Sequence, residues 1–441
     1  MKRTLLILSG LLAYLAVYSQ DNAGGGWWQS ILNEARAASE AKADSTSKKT
    51  GAGPAVTPAA PVVPVTPAAP VAPAAPAVPA AAGLVAAVEA DEAGPAPAAD
   101  TAVVTPKINL CLLLPFNAAG EPNYRAFDFY SGVLMAVMNA GNDADSVSLK
   151  VFDSANGVNS VSKQTILSSD IVMGPFAADD IRKLADRYGK FVISPLEPSG
   201  STLTSASPVI QAPTPWKEQV RELVRWAGEY NPEKEKLVVV SNSEKNEACR
   251  EEVLYQLGCS ETKYEEISCA SYENLQEIIG NAAAEGMGTR FIIASEEAEF
   301  SRRIISVIGS LAEKGKEVST FCTTKARTYS MPATDRGKAK LKITAAYFVD
   351  DSDPAVRTFE REYTEKFGSR PNSFAYQGYD LTNYFISAYK AYGKDWQRYI
   401  TEFAMEGLQT DFAFDVSGIG YENCGIRRIE YNPDGTSGRV R

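Results

Sequence analysis

Histidine is absent from all 441 residues. That absence removes Ser-His and Cys-His nucleophile activation, imidazole base chemistry and the commonest transition-metal ligand. The six cysteines stand at 111, 249, 259, 269, 322 and 424, in no CxxC or other metal-ligand spacing. No run of Lys and Arg stands out, and 44 basic against 54 acidic residues leave a net charge of −10. A nucleic-acid partner is therefore not expected. With no nucleophile motif either, the chain reads as a non-enzyme, with no catalytic residue, no metal and no cofactor expected.

Large apolar side chains are also scarce over residues 51–100, which hold 20 Ala and 11 Pro. Such a stretch cannot bury a core, and its fixed φ angles oppose a helix. Repeats such as TPAAPVVPVTPAAP favour an extended polyproline II spacer. Before it, Lys2 and Arg3, an apolar run from Leu5 to Val17 and small residues up to Ser19 are laid out as a secretory signal peptide, 1–19. The apolar run is short for a spanning helix, and an uncleaved N-terminal anchor is the alternative. Residues 20–106 are expected to be a disordered leader and linker. Within them Trp27-Trp28 begins a short amphipathic pattern that could dock on a partner or a membrane surface. The expected location is the periplasm. In that oxidising compartment Cys249, Cys259 and Cys269 are near enough in sequence for one local bridge, its pairing left open. Cys111 and Cys322 fall inside predicted strands, where buried free thiols are common.

From Lys107 onward short apolar runs alternate with helical patterns. INLCLLLPF (108–116), SLKVFDS (148–154), DIVMGP (170–175) and FVISP (191–195) read as buried strands, with helices over 124–140, near 161–167 and over 179–188. A second series places strands at 237–241, 262–268, 290–295 and 317–323, with helices over 216–229, 245–257, 272–284 and 297–314 between them. A third stretch predicts a strand at 343–350, helices over 354–368 and 373–393, a shorter helix around Trp396 to Met405, and a closing hairpin of DFAFDV with IRRIEYNPDG. Alternating strands and helices imply parallel sheets covered on both faces. Two such series imply two α/β lobes, with the chain returning to each. The boundaries expected are 107–215 plus 345–393 for lobe one and 216–344 plus 394–441 for lobe two.

The strings LLLPF (112–116), FDFYSGVLMAV (127–137), VFDSAN (151–156), IVMGPFAADD (171–180), FVISPLEPSG (191–200), VIQAPTPWKEQ (209–219) and FAYQGYDLTNYF (374–385) resemble, in order and spacing, the type I periplasmic binding fold. Within it they are similar to the leucine/isoleucine/valine-binding group of branched-chain amino-acid ABC transporter proteins. The proline-rich leader and the YENCGIRRIEY-like ending resemble Bacteroidetes variants of that fold. The resemblance covers essentially 107–441 and implies a two-lobed clamshell that binds a ligand between its lobes without catalysis.

In open parallel sheets the ligand site lies beyond the carboxyl ends of the strands, where helix N-termini offer N–H groups to anions. The residues expected there are Phe116, Asn117, Phe176, Ala177, Ser194, Leu196 and Glu197 in lobe one. Lobe two is expected to supply Ser241, Asn242, Glu296 and Thr323, with Tyr376 from the long C-terminal helix. The resemblance implies a small hydroxyl residue after the third-strand turn, where Phe176-Ala177 stands instead. It also implies a lobe-two carboxylate for a ligand ammonium, which Glu296 or Glu297 could match, although a helix-capping carboxylate explains either equally well. Phe116, Phe176 and Tyr376 could instead present aromatic faces to a sugar, a peptide or a cell-wall fragment, or pack between lobes. Asp153 and Asp380 are a nominal carboxylate pair that nothing in sequence brings together.

Three functional classes follow. The first is a monomeric solute receptor, holding a small polar, amino acid-like or peptide ligand for an ABC-type membrane transporter. The second is a cell-envelope scaffold or regulator of peptidoglycan synthesis on the same fold, with a cell-wall protein as partner. The third, an enzyme, is left little room by the missing histidine.

Overall fold

A computed structural model describes residues 107–117, 121–140, 147–196, 201–242, 247–269, 272–283 and 285–440. The expected signal peptide, leader and linker, Trp27 and Trp28 included, lie outside the described residues.

The first series runs β1 (Ile108–Leu114), α1 (Tyr124–Asn139), β2 (Val147–Asp153), α2 (Lys163–Ser168), β3 (Ile171–Met173), α3 (Ala178–Tyr188), β4 (Val192–Ser194), α4 (Ser201–Thr204) and β5 (Val209–Gln211). The second runs α5 (Trp216–Gly228), β6 (Glu235–Asn242), α6 (Ala248–Cys259), β7 (Glu265–Cys269), α7 (Leu275–Ala282), β8 (Gly288–Ile293), α8 (Ala298–Glu313), β9 (Val318–Cys322), α9 (Ala333–Lys338) and β10 (Leu341–Ala345). The chain then forms α10 (Pro354–Phe367), α11 (Ser373–Tyr392), β11 (Ala404–Glu406), β12 (Asp411–Ser417) and β13 (Gly420–Asn423), and ends with β14 (Arg427–Tyr431) and β15 (Ser437–Val440). Two sheets result, ordered β11-β12-β13-β5-β4-β3-β1-β2 and β15-β14-β10-β9-β8-β6-β7. Each has a parallel centre and antiparallel strands at one edge. The two-lobed α/β architecture expected from the alternation is therefore the observed one.

β1 shows why its strand forms. Ile108, Leu110, Leu112 and Leu114 face a core shared with α1 and α11, while Cys111 and Leu113 face the opposite layer. A strand buried on both faces carries no polar alternation, and each such Leu or Ile contributes about 1.5–3 kcal/mol of burial. β6 repeats the pattern, with Val238 and Val240 on one side and Leu237 and Val239 on the other.

Helices α1 and α11 touch backbone to backbone. A Cβ added at Gly132 falls 1.9 Å from the Ala375 carbonyl oxygen, and one at Gly378 falls 2.1 Å from that of Phe129. Neither backbone can give way without moving a whole helix. Gly378→Ala is therefore expected to cost about 2–3 kcal/mol, read as a lower urea midpoint with an unchanged slope.

The C-terminal region departs from the expected boundaries. Residues 394–423 were expected in lobe two, but β11, β12 and β13 extend the first sheet, with β13 parallel to β5. Only β14 and β15 join the second. DFAFDV and IRRIEY therefore lie in different sheets, and β12 pairs with β13 instead. The expected helix near Trp396 to Met405 is a 3₁₀ turn over Gly393–Arg398 followed by β11. Trp396 in the turn and Ile400 just beyond it are both buried in the lobe-one core. All six cysteines are free. Cys249 and Cys259 sit at opposite ends of α6, about 15 Å apart at 1.5 Å per residue, beyond disulfide reach.

Three crossovers, at 212–215, 346–353 and 424–426, link the lobes and are tied together. Asn423 Nδ2 donates to the Ala212 carbonyl at 3.0 Å, and Thr214 Oγ1 to that of Gly425 at 2.7 Å. Buried Arg427 donates to the carbonyls of Phe348 and Leu408 and to Asp411. Asp411 also accepts from Arg439 of β15 at 2.7 Å. Behind them Asp380 of α11 accepts the N–H groups of Leu408, Gln409 and Thr410 at 2.8, 2.7 and 3.0 Å.

Candidate functional site

The loops after β1, β2 and β3 form the lobe-one wall. Asp153, the last residue of β2, accepts the N–H groups of Phe116 at 3.1 Å and Ala155 at 3.0 Å, and Asn117 Nδ2 at 2.9 Å. Burial pushes its pKa up, but the hydrogen bonds from Ala155, Asn117 and Phe116 win and hold it below the ordinary carboxylate value. Phe116 is half-buried, its ring 5.0 Å from Phe127 and 5.8 Å from Tyr130. Phe176 follows the cis Gly174-Pro175 bond and packs edge-on against Phe129 at 5.6 Å. Ala177, exposed, precedes the first turn of α3 and carries no hydroxyl.

The lobe-two wall is built from Glu247 at the start of α6, from the loops after β8 and β9 and from the first residue of α5. Glu296 accepts the Trp216 indole N–H at 3.0 Å and pairs with Lys325 Nζ at 2.6 Å. Its own N–H donates to Glu247 Oε2 at 2.9 Å, and Ser295 Oγ donates to Glu247 Oε1 at 2.8 Å. Glu297 is the cap of α8, accepting from the N–H groups of Glu299 and Phe300. Behind this wall the thiols of Cys249 and Cys322 are buried, and burial pushes Cys322 up to about 12. At neutral pH such a thiol stays protonated and is no nucleophile.

The expected site residues thus separate. Phe116, Asn117, Phe176 and Ala177 stand on the lobe-one loops, Glu296 and Thr323 on those of lobe two, and Asn242 is the last residue of β6. Ser194 is fully buried as the last residue of β4. Ser241 is buried too and donates to Glu266 at 3.2 Å. Leu196 belongs to the lobe-one core. Tyr376 does not reach the strand ends: its ring packs 5.0 Å from Phe359 and its hydroxyl donates to Glu360 at 3.2 Å, because it faces α10. Glu197 lies outside the described residues. Asp153 and Asp380 each hold backbone N–H groups of a different loop, so they form no catalytic pair.

Sequence reasoning missed Lys325 and Glu247, which complete the lobe-two wall. It also missed Gln377, which accepts from Thr410 Oγ1 at 2.8 Å and donates to the Pro195 carbonyl at 3.3 Å. Only the polar run Thr323-Thr324-Lys325 directly after a strand signalled any of these. Two surface grooves, about 860 Å³ beside Tyr272, Arg302 and Arg303 and about 440 Å³ beside Thr358, Phe359 and Tyr379, include none of the expected site residues. Among the described residues no cluster of His, Cys, Asp and Glu is arranged to hold a metal, and no helix is long and apolar enough to cross a membrane.

No protein-family model matches the chain, and no curated protein does. Solved structures do. A candidate branched-chain amino acid ABC transporter from Rhodospirillum rubrum matches at 14% identity and a TM-score of 0.53, over 76% of this chain and all of that one. An ABC-type branched-chain amino acid transporter from Rhodopseudomonas palustris matches at 11% identity and 0.48, over 76% and 96%. A substrate-binding protein from Desulfitobacterium hafniense, in complex with Leu, matches at 16% and 0.45, over 76% and 100%. At such identities the likeness is one of fold, and the Rhodospirillum rubrum protein establishes it: the described residues form a two-lobed α/β architecture of the periplasmic-binding type.

Proposed function

We propose that the protein is a non-enzymatic, extracytoplasmic solute-binding protein. It acts in the periplasm as a monomer, holds a small polar ligand between its lobes and presents it to an ABC-type transporter. One observation carries this reading: polar loops cap the carboxyl ends of both parallel sheets, and three short crossovers tied at one edge join the lobes. That layout suits ligand capture by lobe closure about a hinge. Its lobe-one half offers Asp153, Asn117 and the Phe116 ring, and its lobe-two half offers Glu296, Lys325 and Trp216.

Thermal unfolding of the purified protein tests it, against amino acids, short peptides, sugars and muropeptides. A ligand at 100 times its Kd adds about 2.7 kcal/mol, and one class is expected to raise the Tm by several degrees. A cooperative transition that no member of the panel moves would instead favour the envelope scaffold.

A further inference from the structure

Resting on the solute-binding reading, we propose that Lys325 determines specificity: it selects a carboxylate ligand that brings no ammonium group to lobe two. Glu296 is fixed from behind by Glu247, which holds its N–H. In front, its carboxylate already has two donors, the Trp216 indole at 3.0 Å and Lys325 Nζ at 2.6 Å. A ligand ammonium must share the Glu296 carboxylate with Lys325, a like charge already 2.6 Å from it, so it gains less there than at a carboxylate with no cation beside it. Of the other two carboxylates on this wall, Glu297 caps α8 and Glu247 is spent on Ser295 and the Glu296 N–H.

A ligand carboxylate meets the opposite situation. The Lys325 side chain is 40% exposed, and an ammonium has three donors, of which the pair with Glu296 uses one. Lys325 therefore offers donors to an anion from the lobe-two wall.

The test is titration of the full chain with matched probes: L-leucine against 4-methyl-2-oxopentanoate, and L-glutamate against 2-oxoglutarate. A 2-oxo acid is expected to bind more tightly than its amino acid. Lys325→Ala should weaken the oxo acid by roughly tenfold or more, the usual scale of a charge-assisted hydrogen bond. Glu296→Gln keeps an acceptor for the indole, releases Lys325 and should tighten the same oxo acid. Lys325 is exposed enough that its loss leaves the fold intact, which the unfolding transition of the variant verifies. An amino acid binding at least as tightly as its oxo acid, or a preference unchanged in Lys325→Ala, overturns this assignment alone. Silence of all four probes and of the wider panel overturns the solute-binding reading, and this assignment with it.

Discussion

Replacing Arg427 with methionine is expected to lower stability by about 3–5 kcal/mol, the range for removing one partner of a buried charge network. The guanidinium is 2% exposed and serves acceptors from separate parts of the chain: the Phe348 carbonyl of the second crossover, the Gly407 and Leu408 carbonyls, and Asp411. Methionine fills much of the same volume but leaves those buried carbonyls unpaired. Arg427→Lys should recover only part of the loss, since an ammonium cannot reproduce the planar fork. Chemical denaturation of the three proteins checks this. Equal midpoints for wild type and Arg427→Met would show that the hinge does not depend on the network.

Asp380→Ala is the second large effect, again about 3–5 kcal/mol. It would strand the N–H groups of half-buried Leu408 and of buried Gln409 and Thr410, at about 1–3 kcal/mol for each buried one before relaxation. The same carboxylate gives stability a pH dependence. Burial pushes its pKa up from 3.8, the three N–H groups and Arg427 oppose the rise, and the result is about 6. The folded state therefore binds a proton that the unfolded state has released between about pH 4 and 6. This group's contribution is greatest below about pH 4 and is lost as pH rises through 6. Asp380→Asn, which does not titrate, should remove that slope. A slope identical in wild type and Asp380→Asn would assign the effect to another group.

The parts that follow from local pattern were readable. β1 was visible as an apolar run because both its faces are buried, and α11 as a long periodic segment with a Gly at its contact with α1. β5 and β13 were not: VIQ sits between Pro208 and Pro213, and GYEN has a single large apolar residue. Their pairing depends on a distant partner rather than on local composition. The same limit applies to the wall of lobe two. Glu296 was legible as a carboxylate after a strand, whereas the cation that neutralises it stands on another loop. Trp396 and Ile400 misled for the opposite reason, since their helical spacing is met by a 3₁₀ turn ending at Arg398 and the turn residues after it, both side chains being buried in the core.

The order in which the chain visits its lobes also governs when either can be finished. Asn423 and Ala212 are bonded across 211 residues, and the first sheet lacks three of its eight strands until β13 has emerged. During synthesis, at about 5–20 residues per second, the first series waits with the β5 edge open while the whole second series is made. Closing so long a loop is slow, and the exposed strand edge invites aggregation meanwhile. A chain cut shortly after α11 would leave both sheets incomplete. The two lobes should therefore reach their native state together, late, and only once the last strands are present.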